Sequence, residues 1–185
     1  MLKQLKSFLR NEKKDDSIFD IVVYGSSVKG KLNPNDIDLA VIFRRGSLKH
    51  RLEKVQSIKK NIQLEKKIDI KGILLEELFK ESFFGREGII FEGISMFDGK
   101  PFSAKLGFQG NSLFVYNFKG KTHAEKVKFN YVLSGRNSKG IVEALEGKHL
   151  APGIIQIPAK NSAEFESILS SHDITYSKKD VLIKT

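Results

Sequence analysis

Two aspartates, Asp36 and Asp38, stand two residues apart in the stretch DIDLAVIF. Alternation along a β-strand would place both carboxylates and Ala40 on one face of the strand, and the apolar side chains on the other. Carboxylates this close repel each other and resist desolvation, so the pair requires a compensating charge. Mg²⁺ prefers oxygen ligands, and it usually combines one or two carboxylates with phosphate oxygens. The pair therefore predicts a divalent cation together with a bound polyphosphate.

Two nearby features extend this prediction. Asp69 lies between isoleucines in KIDI, which indicates a neighbouring strand able to bring a third carboxylate to the same place. The apolar stretch IFDIVVY ends in Gly25-Ser26-Ser27, a turn that offers backbone amides and hydroxyl groups to phosphates. Lys29 follows the turn and either adds a positive charge there or simply lies exposed. We expect metal ligands and phosphate donors to meet at one edge of one sheet.

The order of these elements resembles a known superfamily. Gly25-Ser26 after a strand, Asp36-Ile37-Asp38 on the next strand and the later Asp69 are similar to the motif of DNA polymerase β-type nucleotidyltransferases, in particular the minimal members. The resemblance covers about residues 15–97. It implies an α+β nucleotidyltransferase fold, with a mixed β-sheet flanked by helices.

The resemblance also implies an activity. Members of this superfamily transfer a nucleoside monophosphate from a triphosphate such as ATP to a hydroxyl group, and they release pyrophosphate. By this resemblance Asp36 and Asp38 bind two Mg²⁺ ions, for which Mn²⁺ is an alternative. Asp69 either ligates the second ion or helps to deprotonate the acceptor, and the Gly25–Ser27 turn holds the terminal phosphates with help from Lys29.

The strands and helices around these residues follow from periodicity and end signals. We predict an amphipathic first helix, a helix from the N-cap Ser47 to about Asn61, a helix over LLEELFKES and a strand over GIIFEGISMF. The second of these helices would bury one stripe, formed by Leu48, Leu52, Val55 and Ile58.

After Gly99-Lys100-Pro101 the sequence consists of short segments separated by glycines. This change predicts two domains, 1–98 and 99–185. The second is expected to be a small basic α/β domain, in which Thr122 and Glu125 form a capping box at the start of a helix. Two helices joined by GRNSKG are compatible with a helix-turn-helix-like or winged unit that contacts RNA or DNA phosphates. They are equally compatible with an ordinary surface that has no such role.

The composition narrows the partners. The net charge is +10 with a pI near 9.6, which favours phosphates, nucleic acid or an acidic protein, or else describes a solvated lysine-rich surface. The absence of cysteine excludes disulfides and thiolate metal sites. No apolar run reaches the roughly 18–20 residues that a membrane span needs, so we expect a cytoplasmic protein without a membrane partner.

Three functions remain open at this point. The first is a nucleotidyltransferase whose acceptor is RNA, such as a tRNA 3′ end, or a hydroxyl of a partner protein. The second is a non-catalytic module on the same fold that binds nucleic acid or a partner. The third is a sensor that binds a nucleoside triphosphate without transferring it. The sequence indicates neither the base, the acceptor, nor the oligomeric state.

Overall fold

The chain folds as two units, Met1–Gly107 and Phe108–Thr185, in a computed structural model. The structure describes residues 2–28, 36–80, 83 and 85–184. No helix in these ranges is long and apolar enough to cross a bilayer. The cytoplasmic location stays a prediction.

In its described residues, the first unit contains three helices, four strands and several short helical segments. The helices are α1 (Leu2–Leu9), α2 (Leu48–Asn61) and α3 (Phe102–Lys105). The strands are β1 (Ile18–Tyr24), β2 (Asp36–Phe43), β3 (Lys67–Leu74) and β4 (Ile94–Ser95). The 3₁₀ segments are Arg10–Lys14, Gly25–Ser27 and Leu75–Phe79, and a π-helical turn spans Gly88–Glu92.

The sheet of this unit is mixed, as predicted. Its strand order is β3-β2-β1-β4, where β2 and β3 are parallel and the other neighbours are antiparallel. One face packs against α1 and α2 through residues such as Leu9 and Ile58. The other face packs against Leu78, Ile89 and Phe102. Apolar residues of β1 and β2 therefore point into two cores, which explains the nearly unbroken apolar runs of these strands.

Helix α2 begins where the sequence predicts, because the Ser47 hydroxyl accepts a hydrogen bond from the backbone of His50 at 3.2 Å. Its buried stripe differs from the prediction. Leu48 and Leu52 are 62% and 53% exposed. The buried positions include Arg51, whose guanidinium donates to Glu77 at 3.0 Å. Because Arg51 is paired with Glu77, which lies outside α2, an arginine is buried on a helix where periodicity predicted buried leucines.

Two further predictions of secondary structure are wrong. In the stretch LLEELFKES, of which residues 74–80 are described, the helical part is the five-residue 3₁₀ segment Leu75–Phe79. The stretch GIIFEGISMF forms the π-helical turn Gly88–Glu92 before the two-residue strand β4. A short apolar run cannot be assigned to strand or helix by periodicity alone. Close packing is visible at Gly93, where an added Cβ would lie 2.2 Å from the carbonyl oxygen of Ile89.

Residues 99–107, which the sequence analysis placed in the second domain, lie within the first unit. Phe102 is fully buried there, and its backbone donates to the carbonyl of Gly93 at 2.8 Å. Lys105 forms an ion pair with the fully buried Asp20 of β1. The Asp20 carboxylate also accepts from the Ser95 hydroxyl at 2.9 Å. The two contacts of Asp20 join segments that are 75 and 85 residues apart in the sequence.

The second unit has a four-stranded antiparallel sheet with the order β6-β7-β5-β8. Its strands are β5 (Phe108–Asn117), β6 (Lys148–Ala151), β7 (Ile154–Pro158) and β8 (Thr175–Lys184). Its helices are α4 (His123–Ser134), α5 (Ile141–Ala144) and α6 (Ser162–Ser171), and a 3₁₀ segment spans Ala159–Asn161.

The core of the second unit lies between its helices and one face of the sheet. Phe129 and Phe165 from the helices join Phe114 and Ile155 from the strands. The capping box predicted for α4 is present. The Thr122 hydroxyl accepts a hydrogen bond from the backbone of Glu125, and the Glu125 carboxylate accepts one from the backbone of Thr122. Helix α5 is a single turn, which is too short for a recognition helix. A helix-turn-helix unit therefore has no support, whereas an α/β unit is present.

Candidate active site

The three predicted aspartates lie at adjoining positions of the first sheet. Asp38 of β2 pairs with Asp69 of β3 on one side and with Tyr24 of β1 on the other. Because directly paired residues point to the same face, these side chains form one row across three strands. Asp36 lies two residues before Asp38 on the same face. The row lies where β1 ends and where β2 and β3 begin.

This row is electrostatically unfavourable without a cation. The pKa of Asp38 is raised, first because the carboxyl is partly buried, and then because Asp36 and Asp69 carry like charges. Lys71, two residues after Asp69, acts against this shift and lowers the same pKa. Tyr24 has its pKa raised to about 12 by burial and by the charges of Asp38 and Asp69. The site therefore concentrates negative charge in a partly desolvated place.

The turn after β1 brings its backbone against Asp38. Gly25 has φ +72°, a left-handed conformation that favours glycine. A Cβ at Gly25 would lie 2.5 Å from Oδ2 of Asp38. Only a residue without a side chain leaves room for this carboxylate. The Gly25–Ser27 turn, which the sequence predicts as a phosphate holder, thus also sets the position of a predicted metal ligand.

Ser27 connects the turn to the second strand. Its hydroxyl donates to the backbone carbonyl of Asp36 at 3.0 Å. The hydroxyl therefore fixes the start of β2 in this structure, and Ser26 lies half-buried beside it. Lys29, the fourth predicted nucleotide-binding residue, lies outside the described residues. The nucleotide-binding roles of this segment stay predictions.

Two residues of the site escaped the sequence analysis. Tyr24 closes the predicted strand and reads as a core residue, and it packs near Gly88 of the π-helical turn. Lys71 had a usable signal, since it follows Asp69 by two residues and must share its face of the strand. Its charge beside the acidic row suits contact with an anionic substrate.

The donor set is compatible with magnesium. Among the described residues, no three acidic, histidine or cysteine side chains converge closely enough to hold a metal ion by themselves. A magnesium ion held by one or two carboxylates and by phosphate oxygens does not need three such ligands. The like charges that raise the pKa of Asp38 are those that a bound cation would offset. Asp36 and Asp38 are therefore the residues that fit such an ion.

The family comparison covers the part of the chain that carries this site. Residues 3–93 match the family described as "Polymerase beta, Nucleotidyltransferase". This match confirms the resemblance of this part of the chain to polymerase β-type nucleotidyltransferases, and its mixed sheet and helices form the nucleotidyltransferase fold. The family level supports a nucleoside triphosphate as substrate and a divalent metal as the usual cofactor.

Other comparisons add little. No curated protein matches the chain. A solved structure of a candidate nucleotidyltransferase from Sulfolobus solfataricus is similar, with 15% identity and a TM-score of 0.38. That match covers 51% of this chain and 78% of the Sulfolobus chain. At this level of similarity it carries no argument about substrate or acceptor.

Proposed function

We propose that the chain is a magnesium-dependent nucleotidyltransferase that moves a nucleoside monophosphate from a triphosphate to an acceptor hydroxyl. The acceptor oxygen forms a bond to the α-phosphorus, and the bond from that phosphorus to the bridging oxygen of the β-phosphate breaks. Pyrophosphate is the leaving group. The acceptor is an RNA end or a hydroxyl of a protein side chain, and ATP is among the candidate donors.

One observation carries the proposal. Asp38 lies in a row with Asp69 and against the Gly25 turn, and the pKa of Asp38 is raised by burial and by like charges. A purely structural carboxylate would be expected to have a cationic or hydrogen-bonding partner that lowers its pKa. A carboxylate held in this state is poised for a cation that arrives with the substrate.

The residues of the proposed site have two kinds of role, which are to bind charged groups and to position the reacting atoms. Asp36 and Asp38 would hold Mg²⁺, or Mn²⁺ in its place, which when bound neutralises triphosphate charge and orients the reacting oxygens. Asp69, exposed at the edge of the row, ligates a second ion or accepts the proton of the acceptor hydroxyl. Backbone amides of the Gly25–Ser27 turn would hold the terminal phosphates, and Lys29 keeps its predicted role of adding positive charge there.

The second unit supplies acceptor binding in this proposal. Residues 108–184 hold eleven Lys and Arg against seven Asp and Glu, so the unit is suited to a polyanion. The sequence analysis predicted the domain boundary at residues 98 and 99. In this proposal the first unit carries out the triphosphate chemistry, and the second unit recruits the acceptor. An RNA acceptor uses this charge directly, whereas a protein acceptor requires an acidic surface.

The test uses labelled nucleoside triphosphates with the full chain, magnesium and total RNA or cell lysate. The wild type is compared with Asp36→Ala/Asp38→Ala. A matched control is Asp16→Ala/Glu53→Ala, which removes two exposed carboxylates of the same unit. Label on an RNA or a protein band is expected with the wild type and the control. Its loss in the first variant alone supports the proposal and identifies the class of acceptor.

The same experiment separates the other two functions. Triphosphate binding without transfer of label in any sample indicates a sensor. Salt-sensitive binding of nucleic acid without triphosphate affinity indicates a binding module. Either result contradicts the transferase proposal.

A further inference from the structure

A cavity of about 460 Å³ lies in the second unit, at the end of β5. We name it the hairpin pocket, because the hairpin between β6 and β7 forms one wall. Helix α4 forms another wall. The residues that line the pocket include Tyr116, Phe118, Asn130, Ser134, His149 and Gly153. The volume lies within the range of small-molecule sites in proteins, roughly 300–1,000 Å³.

The pocket contains a polar group that lacks a partner. Tyr116 is only 8% exposed, and burial raises the pKa of its hydroxyl. In the described part of the chain this hydroxyl makes no hydrogen bond to another side chain or to the backbone, and its oxygen is not one of the fully buried side-chain atoms without a partner. The hydroxyl is therefore accessible at the wall of the cavity, where water or a ligand can bond to it. The amide of Asn130, the hydroxyl of Ser134 and the imidazole of His149 line the same cavity.

The floor of the pocket is held in place. The backbone of Tyr116 donates to the carbonyl of Gly153 at 2.9 Å, which ties the hairpin to β5. The Tyr116 ring also packs edge-on against Phe118 and Phe129, with centroid distances of 5.5 and 6.3 Å. These contacts fix the orientation of the Tyr116 ring and with it the direction of its hydroxyl.

Two lysines adjoin the pocket along the chain. Lys119 follows Phe118, and Lys126 lies one turn before Asn130 on α4. Neither lysine forms an ion pair in the described part of the chain. The acidic side chains that do form ion pairs in this unit engage other lysines, namely Lys121, Lys139, Lys160 and Lys178. The surroundings therefore favour a ligand that carries phosphate.

We propose that the hairpin pocket binds one unpaired nucleotide of a single-stranded RNA. The base enters the aromatic cavity, and its edge bonds to the Tyr116 hydroxyl and to the amide of Asn130. The flanking phosphates lie beside Lys119 and Lys126. Recognition of unstacked bases by aromatic and polar groups is the usual way in which proteins bind single-stranded RNA. The inference rests on the proposed function for its choice of RNA, but on different residues.

The experiment measures binding of a fluorescent single-stranded RNA of about ten nucleotides to the full chain, without triphosphate or magnesium. Competitors are an RNA duplex of the same length and a free mononucleotide. Tyr116→Phe, which removes only the hydroxyl, is compared with Tyr176→Phe on the neighbouring strand β8, a tyrosine that does not line the cavity. Asn130→Asp is compared with Asn137→Asp, which makes the same charge change on an exposed loop.

The single strand is expected to bind at least about ten-fold more tightly than the duplex, because a paired base must first leave the helix. Loss of one hydrogen bond in Tyr116→Phe is expected to weaken binding about three- to ten-fold, with no change in Tyr176→Phe. Asn130→Asp should weaken binding more than Asn137→Asp. Equal binding of duplex and single strand, or equal effects within either pair of variants, overturns the proposal.

Two further outcomes keep this inference separate from the catalytic one. A free mononucleotide that binds as tightly as the RNA would make the pocket a mononucleotide site and would contradict the RNA assignment. The Asp36→Ala/Asp38→Ala variant is expected to keep its full RNA affinity. Absence of nucleotidyl transfer therefore leaves this test intact, and absence of pocket binding leaves the transfer assay intact.

Discussion

Gly25→Ala tests whether the turn after β1 sets the position of Asp38. The substitution has two separable costs. An alanine at φ +72° pays roughly 1–2 kcal/mol for its left-handed backbone. Its Cβ would also lie 2.5 Å from Oδ2 of Asp38, so the carboxylate must move about 0.9 Å to reach an ordinary contact of 3.4 Å. Displacement of a metal ligand on this scale is expected to lower metal-dependent affinity about 10- to 100-fold.

Gly107→Ala is the control in the same unit. Gly107 has φ +81°, and an added Cβ would meet nothing within 4 Å, so this variant has the strain without the collision. Calorimetric titration of triphosphate with and without magnesium measures the affinity, and urea unfolding measures the stability. Gly25→Ala should lose at least as much stability as Gly107→Ala, whereas only Gly25→Ala should lose the magnesium-dependent affinity. Equal affinities in the two variants would refute the argument.

Three other outcomes follow from the site and from the packing around it. Magnesium should tighten triphosphate binding to the wild type, and an affinity unchanged by EDTA would contradict a metal site. Asp38→Asn should raise Tm at pH 7, because the folded state raises the pKa of Asp38 and its ionisation therefore opposes folding as pH rises through that pKa. The difference should shrink near pH 4, where protonation removes the penalty in the wild type, and a lower Tm at pH 7 would contradict this sign. Lys105→Met should cost about 3 kcal/mol in urea unfolding, because it leaves the buried carboxylate of Asp20 without its cation. The exposed Lys100→Met is the control, and equal stability of the two variants would contradict this reasoning.

The features that could be predicted from the sequence are those that depend on neighbouring residues along the chain. Alternation in β2 placed Asp36 and Asp38 on one face, and local capping signals located the starts of α2 and α4. These signals act over two to four residues. The mixed sheet followed from the family resemblance, since strand order is not written in any local pattern.

The remaining features depend on contacts between distant segments. Arg51 is buried because Glu77 accepts its hydrogen bond, and nothing within α2 indicates this partner. The first unit extends to Gly107 because β1 contains a buried carboxylate that a later lysine neutralises. The hairpin pocket combines α4 with a strand end and a hairpin turn, so its lining could not be assembled from sequence alone.

The ion pair between Asp20 and Lys105 decides where the first unit can be cut for separate expression. A recombinant fragment ending at residue 98 would leave Asp20 in an apolar interior without its cationic partner. It would also expose to water the space that Phe102 fills. Such a fragment should aggregate or stay partly folded, and its inactivity would be mistaken for a need for the second unit. A fragment of residues 1–107 retains both side chains, so it is the one with which autonomy of the nucleotidyltransferase half can be judged.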